Sequence, residues 1–175
     1  MRKVVLTYGL LAGLIISVLM VISFYVVKPE SSLSYVAGYA TMLIALTMIF
    51  FAIRSYRDNY LGGSITWGRA FMVGLYVSII ASILYVIAWK VFSAIAFPDF
   101  WDQYGKQVLD NMKKHGASQT EILEATKKVE GYKHMSPIVE WGMTFLEIFP
   151  VGIVVTLICA TLLRRKAANQ AAKVS

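Results

Sequence analysis

The sequence predicts an all-α integral membrane protein with four transmembrane helices and an extracytoplasmic helical hairpin between helices three and four. Three observations carry this. Of 175 residues, 58% are hydrophobic and 15% charged, whereas a soluble domain averages roughly 25% charged. The apolar residues stand in long unbroken runs, not at the spacing of an amphipathic helix or strand. The stretch between the third and fourth runs is different in kind, with six acidic residues and six lysines over 97–135.

The first run, residues 4–27, has no charged residue and follows Arg2 and Lys3. It is too long for the apolar core of a signal peptide, which has roughly 7–15 residues, so it reads as a retained span. Lys28-Pro29-Glu30-Ser31-Ser32 then predicts a helix break and a short turn. The second span covers about 33–53. Arg54 to Ser64 reads as a surface loop, since it holds three charges and the pair Gly62-Gly63. The third span, about 70–93, is bracketed by Trp67 and Trp89, whose amphipathic rings favour the headgroup level. Lys90 near its exit can snorkel to water.

The amphipathic hairpin covers about 98–133. Trp101, Tyr104, Val108 and Met112 recur at helical spacing. Pro98 suits a first turn and Gly116 a stop. Ser118-Gln-Thr-Glu121 is a capping box that opens a second short helix, with Ile122, Ala125 and Val129 on one face. The fourth span covers about 138–163, and Arg164-Arg165-Lys166 closes it. The whole chain, 1–175, forms a single membrane domain.

The net charge of +7 would point to nucleic acid in a soluble chain. Here the basic residues flank apolar spans and set topology, so a nucleic-acid partner is not expected. All six arginines, at 2, 54, 57, 69, 164 and 165, fall in the two tails or the second loop. With four spans these segments share one side. Positive-inside reasoning therefore expects both termini in the cytoplasm and the hairpin outside. Cys159 is the one cysteine. It excludes an intramolecular disulfide and reads as a buried, inert thiol.

Small residues recur every fourth position in each span: Gly9, Gly13 and Ser17; Ala37, Thr41 and Ala45; Ala70, Gly74, Ser78 and Ser82; Gly152, Thr156 and Ala160. Such stripes let helix backbones approach closely in lipid. The favoured reading is packing within one bundle; a homodimer through Gly9 and Gly13 is the alternative.

The candidate polar site is Glu147, Glu140, Lys90 and Pro150. Glu147 lies about nine residues inside the fourth span, hence roughly 13 Å deep at 1.5 Å per residue, near the middle of the bilayer. A charge there is costly and marks a functional candidate. Pro150 has no backbone N–H, which frees the carbonyl of Leu146. Glu140 lies two turns away on the same face, with Thr144 between, and can pair with Lys90. The functional reading is a proton or cation relay, or the floor of a polar pocket. The structural reading is a glutamic acid that locks the bundle by bonding Tyr85, Ser82 or Thr41. His115 and His134 lack metal-ligand spacing. GxSxG, HExxH and CxxC motifs are absent, so neither an enzyme nor a cofactor or metal site is expected.

Several stretches together carry a family resemblance. They are Lys3 with Tyr8-Gly9; Phe50-Phe51-Ala-Ile-Arg54-Ser-Tyr-Arg57-Asp58; Gly63-Ser-Ile-Thr-Trp67-Gly-Arg-Ala-Phe71; Pro98-Asp-Phe100; and Thr144-Phe-Leu-Glu147-Ile-Phe-Pro150-Val-Gly152. Through them the chain resembles, over nearly its whole length, a bacterial membrane protein family, domain of unknown function 4199, typical of Bacteroidota. The resemblance implies a four-span protein of the cytoplasmic (inner) membrane and implies no activity. Two function classes remain in view. One is a non-enzymatic module that binds a protein or lipid partner, with a homo-oligomer possible. The other is a small oligomeric transporter, or proton-linked transport component, that uses Glu147.

Overall fold

A computed structural model of the chain describes residues 1–26, 33–96, 98–133 and 135–165. The described residues form six helices and no strand beyond one isolated bridge. They are α1 (Arg2–Val26), α2 (Leu33–Tyr60), α3 (Trp67–Ala96), α4 (Phe100–Lys114), α5 (Gln119–Lys133) and α6 (Pro137–Leu163). Of these α1, α2, α3 and α6 are long and apolar enough to cross a membrane. The expected spans are therefore present, and the chain is a multi-pass membrane protein. The expected turn at Lys28–Ser32 lies outside the described residues, as do His134 and Lys166.

The chain divides into two compact units, one of residues 1–88 with 144 onward, the other of residues 89–143. In the first unit the core lies where α1, α2, α3 and α6 meet. Ile16, Leu46, Ile49, Ile53, Val73, Val77 and Ile148 are fully buried there. In lipid no hydrophobic effect draws helices together, so close backbone approach and hydrogen bonds must hold them. The glycine stripes supply the approach. A Cβ on Gly74 would lie 2.6 Å from Thr156 Cγ2, and one on Gly152 would lie 2.9 Å from Ser78 Cβ. These pairs step along α3 and α6 in opposite directions, so the two helices run antiparallel. Ser78 Oγ lies 3.3 Å from Thr156 Oγ1 and donates to the carbonyl of Gly74, so the crossing also buries a satisfied polar pair. Gly9 and Gly13 face Ile80 and Leu84 of α3. At Gly9 and Gly13 the stripe thus packs within the bundle. Cys159 is buried, as its apolar surroundings implied.

The second loop differs from expectation. The helix does not stop at Ile53; α2 runs on to Tyr60, and the turn shrinks to residues 61–66. Arg57 and Asp58 bond through two contacts, at 2.7 and 3.2 Å, and Arg54 stands 3.7 Å from Asp58 one turn away. Side-chain pairs of this spacing support helix where the apolar run has ended. Gly62 and Gly63, at φ +60° and +84°, then take the left-handed backbone that ends it. The amide of Gly63 donates to the carbonyl of Arg57.

In the second unit α4 and α5 form the expected hairpin. Gly116, at φ +74°, makes the turn between them. Gly105 lies against Val129, so close that a Cβ there would stand 2.5 Å from Val129 Cγ1. Two details differ. Pro98 lies in the turn before α4, which begins only at Phe100. Tyr104 is 41% exposed while Val108 and Met112 are half-buried, so at Tyr104 the α4 stripe is left uncovered.

The capping box forms at α5. The Ser118 amide donates to Glu121 Oε2 at 2.8 Å, and the Glu121 amide donates to Ser118 Oγ at 3.3 Å. These bonds to Ser118 hold the Glu121 carboxyl below its ordinary pKa of 4.5. A lowered folded pKa stabilises the helix above the ordinary value and loses that contribution as pH falls through the folded value. Acidification below pH 4.5 is thus expected to fray the first turn of α5, read from backbone chemical shifts at 119–122. Glu121→Gln is expected to be frayed already at neutral pH and to show little further change.

Candidate functional site

The sequence-level candidates divide between the two units. Lys90 and Glu140 belong to the second unit and form an ion pair, Lys90 Nζ to Glu140 Oε2 at 2.6 Å. The side chains are 32% and 22% exposed. α3 carries Lys90 two turns before its end, and α6 carries Glu140 in its first turn. Acidic groups are favoured in a helix's first turn, where the amide dipoles present positive charge. The lysine stem covers apolar surface while its ammonium meets the carboxylate. The pair is therefore a partly wet strap between α3 and α6. Nothing in its geometry makes it a nucleophile or a general base.

Glu147 has a different setting. It sits on α6 within the first unit, five residues before Gly152. The buried side of α6 holds Ile148, Gly152, Thr156, Cys159, Ala160 and Leu163. At 100° per residue, Glu147 projects from nearly the opposite side, and it is exposed. Leu146, at 63% exposed, and Val154, at 55%, are on that side as well. By counting on from the Gly152–Ser78 contact, Glu147 stands roughly level with Ile83 in the middle of α3.

None of the anticipated locking partners bonds Glu147. Ser82 Oγ donates to the carbonyl of Ser78, and Thr41 Oγ1 donates to the carbonyl of Gly38. Tyr85 is 7% exposed and within electrostatic reach of Glu147, yet forms no hydrogen bond with it among the described residues. Glu147 itself forms no hydrogen bond or ion pair among the described residues. Pro150 is exposed, and α6 stays helical through it. It cannot donate to Leu146, so that carbonyl keeps a free lone pair on the same side. The Glu147 carboxyl thus stands in the middle of a span with no hydrogen bond from its own chain among the described residues.

A second arrangement was not anticipated from the sequence. At one end of the first unit the start of α3 is clasped to the end of α6. Ile65 and Arg165 exchange backbone hydrogen bonds, both at 3.0 Å. Trp67 Nε1 donates to Thr161 Oγ1 at 3.2 Å, and the indole stacks on Phe71. Arg57 Nη1 donates to the carbonyl of Leu163 at 3.4 Å. This satisfies one of the carbonyls that a helix end leaves without a partner. The only advance signal was Trp67 at a span boundary; the two-residue bridge has no pattern of its own.

No group of three or more His, Cys, Asp and Glu residues is placed to hold a metal among the described residues. The family model described as "Protein of unknown function (DUF4199)" matches residues 7–165, and the chain belongs to that family. No curated protein and no solved structure matches the chain.

Proposed function

We propose that this member of the family is a non-enzymatic membrane module that works by binding a partner, protein or lipid. The observation that carries the reading is Glu147. A carboxyl at mid-span has to be neutral, hydrogen-bonded or hydrated, because lipid offers it nothing. Its own chain supplies no hydrogen bond, whereas the polar groups inside the bundle are satisfied by one another. A membrane-inserted partner that brings a donor or acceptor to Glu147 and the Leu146 carbonyl would meet the need. The module is placed in a bacterial cytoplasmic membrane with both termini inside and the α4–α5 hairpin outside, on the arginine asymmetry. A cysteine at Ser118 is expected to react with an impermeant thiol reagent on intact spheroplasts. Reaction only after lysis would reverse the orientation.

The second reading is transport, in an oligomer, with Glu147 as a proton-carrying group. Tyr85 within electrostatic reach of the carboxyl favours it. Glu147→Gln separates the two. It keeps hydrogen-bonding capacity and cannot ionise, so it spares partner binding and abolishes proton-linked flux in vesicles.

A further inference from the structure

At the clasped end of the first unit the arginines outnumber the acids. Arg54 and Arg57 come from α2, Arg69 from α3, and Arg164 and Arg165 from the end of α6. Among the described residues at this end Asp58 is the one acidic residue, and Arg57 holds it with two bonds. Arg69, Arg164 and Arg165 are exposed, and none has an acidic partner among the described residues. We infer that this arginine rim is a binding site for the headgroups of anionic phospholipids.

Three features single out lipid as the occupant. The first is depth. Arg69 is the third residue of α3, and Arg164 directly follows the last residue of α6. The arginines therefore stand where the apolar spans end, at headgroup level, and Trp67 beside them has the ring that favours that level. The second is charge. An unbalanced basic cluster at a membrane surface attracts anionic lipids. The guanidinium fork also matches a phosphate in two parallel hydrogen bonds. The third is preorganisation. The Ile65–Arg165 exchange, the Trp67–Thr161 bond and the Arg57–Leu163 bond fix the backbones that carry the arginines. Only side-chain freedom is then lost on binding. Topology alone needs positive charge on this side, but it does not need the charge to stand on a clasped frame.

The inference names the lipid half of the binding reading and rests on it. The two can fail separately, because the α6 face around Glu147 contributes no residue to the rim. The test uses the purified full chain in mixed micelles that hold equal amounts of phosphatidylglycerol and phosphatidylcholine. Native mass spectrometry counts the lipids retained. The wild type is expected to retain phosphatidylglycerol over phosphatidylcholine by about tenfold or more, because each exposed arginine at the surface adds to the attraction for an anionic headgroup. The triple variant Arg69→Gln, Arg164→Gln, Arg165→Gln is expected to lose that preference. A charge-matched control in α4, Lys106→Gln, Lys113→Gln, Lys114→Gln, is expected to keep it. Equal retention of the two lipids by the wild type, or a preference that survives the triple variant, overturns the site. If the triple variant does not fold, the wild type is taken to high salt instead. Loss of the preference there supports the rim, and a salt-resistant preference overturns it.

Discussion

Gly152→Leu is expected to pry α6 from α3 and to destabilise the four-span unit by about 1–3 kcal/mol. Even a bare Cβ at 152 would stand 2.9 Å from both Cβ and Oγ of Ser78. Ser78 cannot swing away cheaply. Its Oγ bonds the Gly74 carbonyl and faces Thr156, and Ser82 bonds its carbonyl. Moving α6 outward breaks the contact between Ser78 and Thr156 across the crossing, and lipid offers neither hydroxyl a replacement. Gly74→Leu attacks the same crossing from the other helix, where a Cβ would meet Thr156 at 2.6 Å. The double variant is therefore expected to lose less than the sum of the singles, because one separation relieves both clashes. Gly38→Leu is the control. Nothing lies within 4 Å of a Cβ there, so its melting profile in detergent is expected to stay close to that of the wild type. Thermal unfolding of the wild type and these four variants, followed by helical circular dichroism, checks the order.

Glu147→Leu is expected to leave the fold intact and to weaken partner association about 3–30-fold, the worth of one interhelical hydrogen bond of roughly 0.6–2 kcal/mol in a membrane. The fold is spared because the chain makes no hydrogen bond through Glu147 among the described residues. Leucine also suits a span better than a carboxyl does. Association suffers because the donor is gone, and the Leu146 carbonyl freed by Pro150 is left facing apolar surface. Glu147→Gln should stay near the wild type in the same measurement. The ranking Glu, then Gln, then Leu, measured by the yield of crosslinked partner in the membranes of the producing cell, separates hydrogen bonding from ionisation. Loss of function in Glu147→Gln equal to that in Glu147→Leu would favour the proton-carrying role instead.

Much of the architecture was legible because lipid imposes a length rule. Four unbroken apolar runs became four helices, with ends moved by a few residues. The movement was largest at Ile53, where α2 continues for almost two more turns. Hydropathy ends with the last apolar residue, but a helix ends when its backbone finds a stop, and here that stop is Gly62-Gly63. The capping box at Ser118 and the turn at Gly116 were readable because each is a local device with one backbone consequence. Glu140 and Lys90 were readable as a pair because they are opposite charges, one near the end of the third span and the other near the start of the fourth. The exposure of Glu147 was not readable. Direction around α6 depends on which side packs, and the glycine stripe that decides it, Gly152 against Ser78, needs the partner helix to be known. The Ile65–Arg165 bridge was hidden for the same reason, since it is made between backbones far apart in sequence.

The central claim is that the side of α6 bearing Glu147 is covered by another membrane-inserted chain. A photoreactive amino acid at Val154, on that side and 55% exposed, tests it most directly in the membranes of the producing cell. A discrete protein adduct is expected, formed also from Leu146 and weakened when Glu147→Leu is combined with either probe. Adducts to lipid alone from both positions, unchanged by Glu147→Leu, would contradict it.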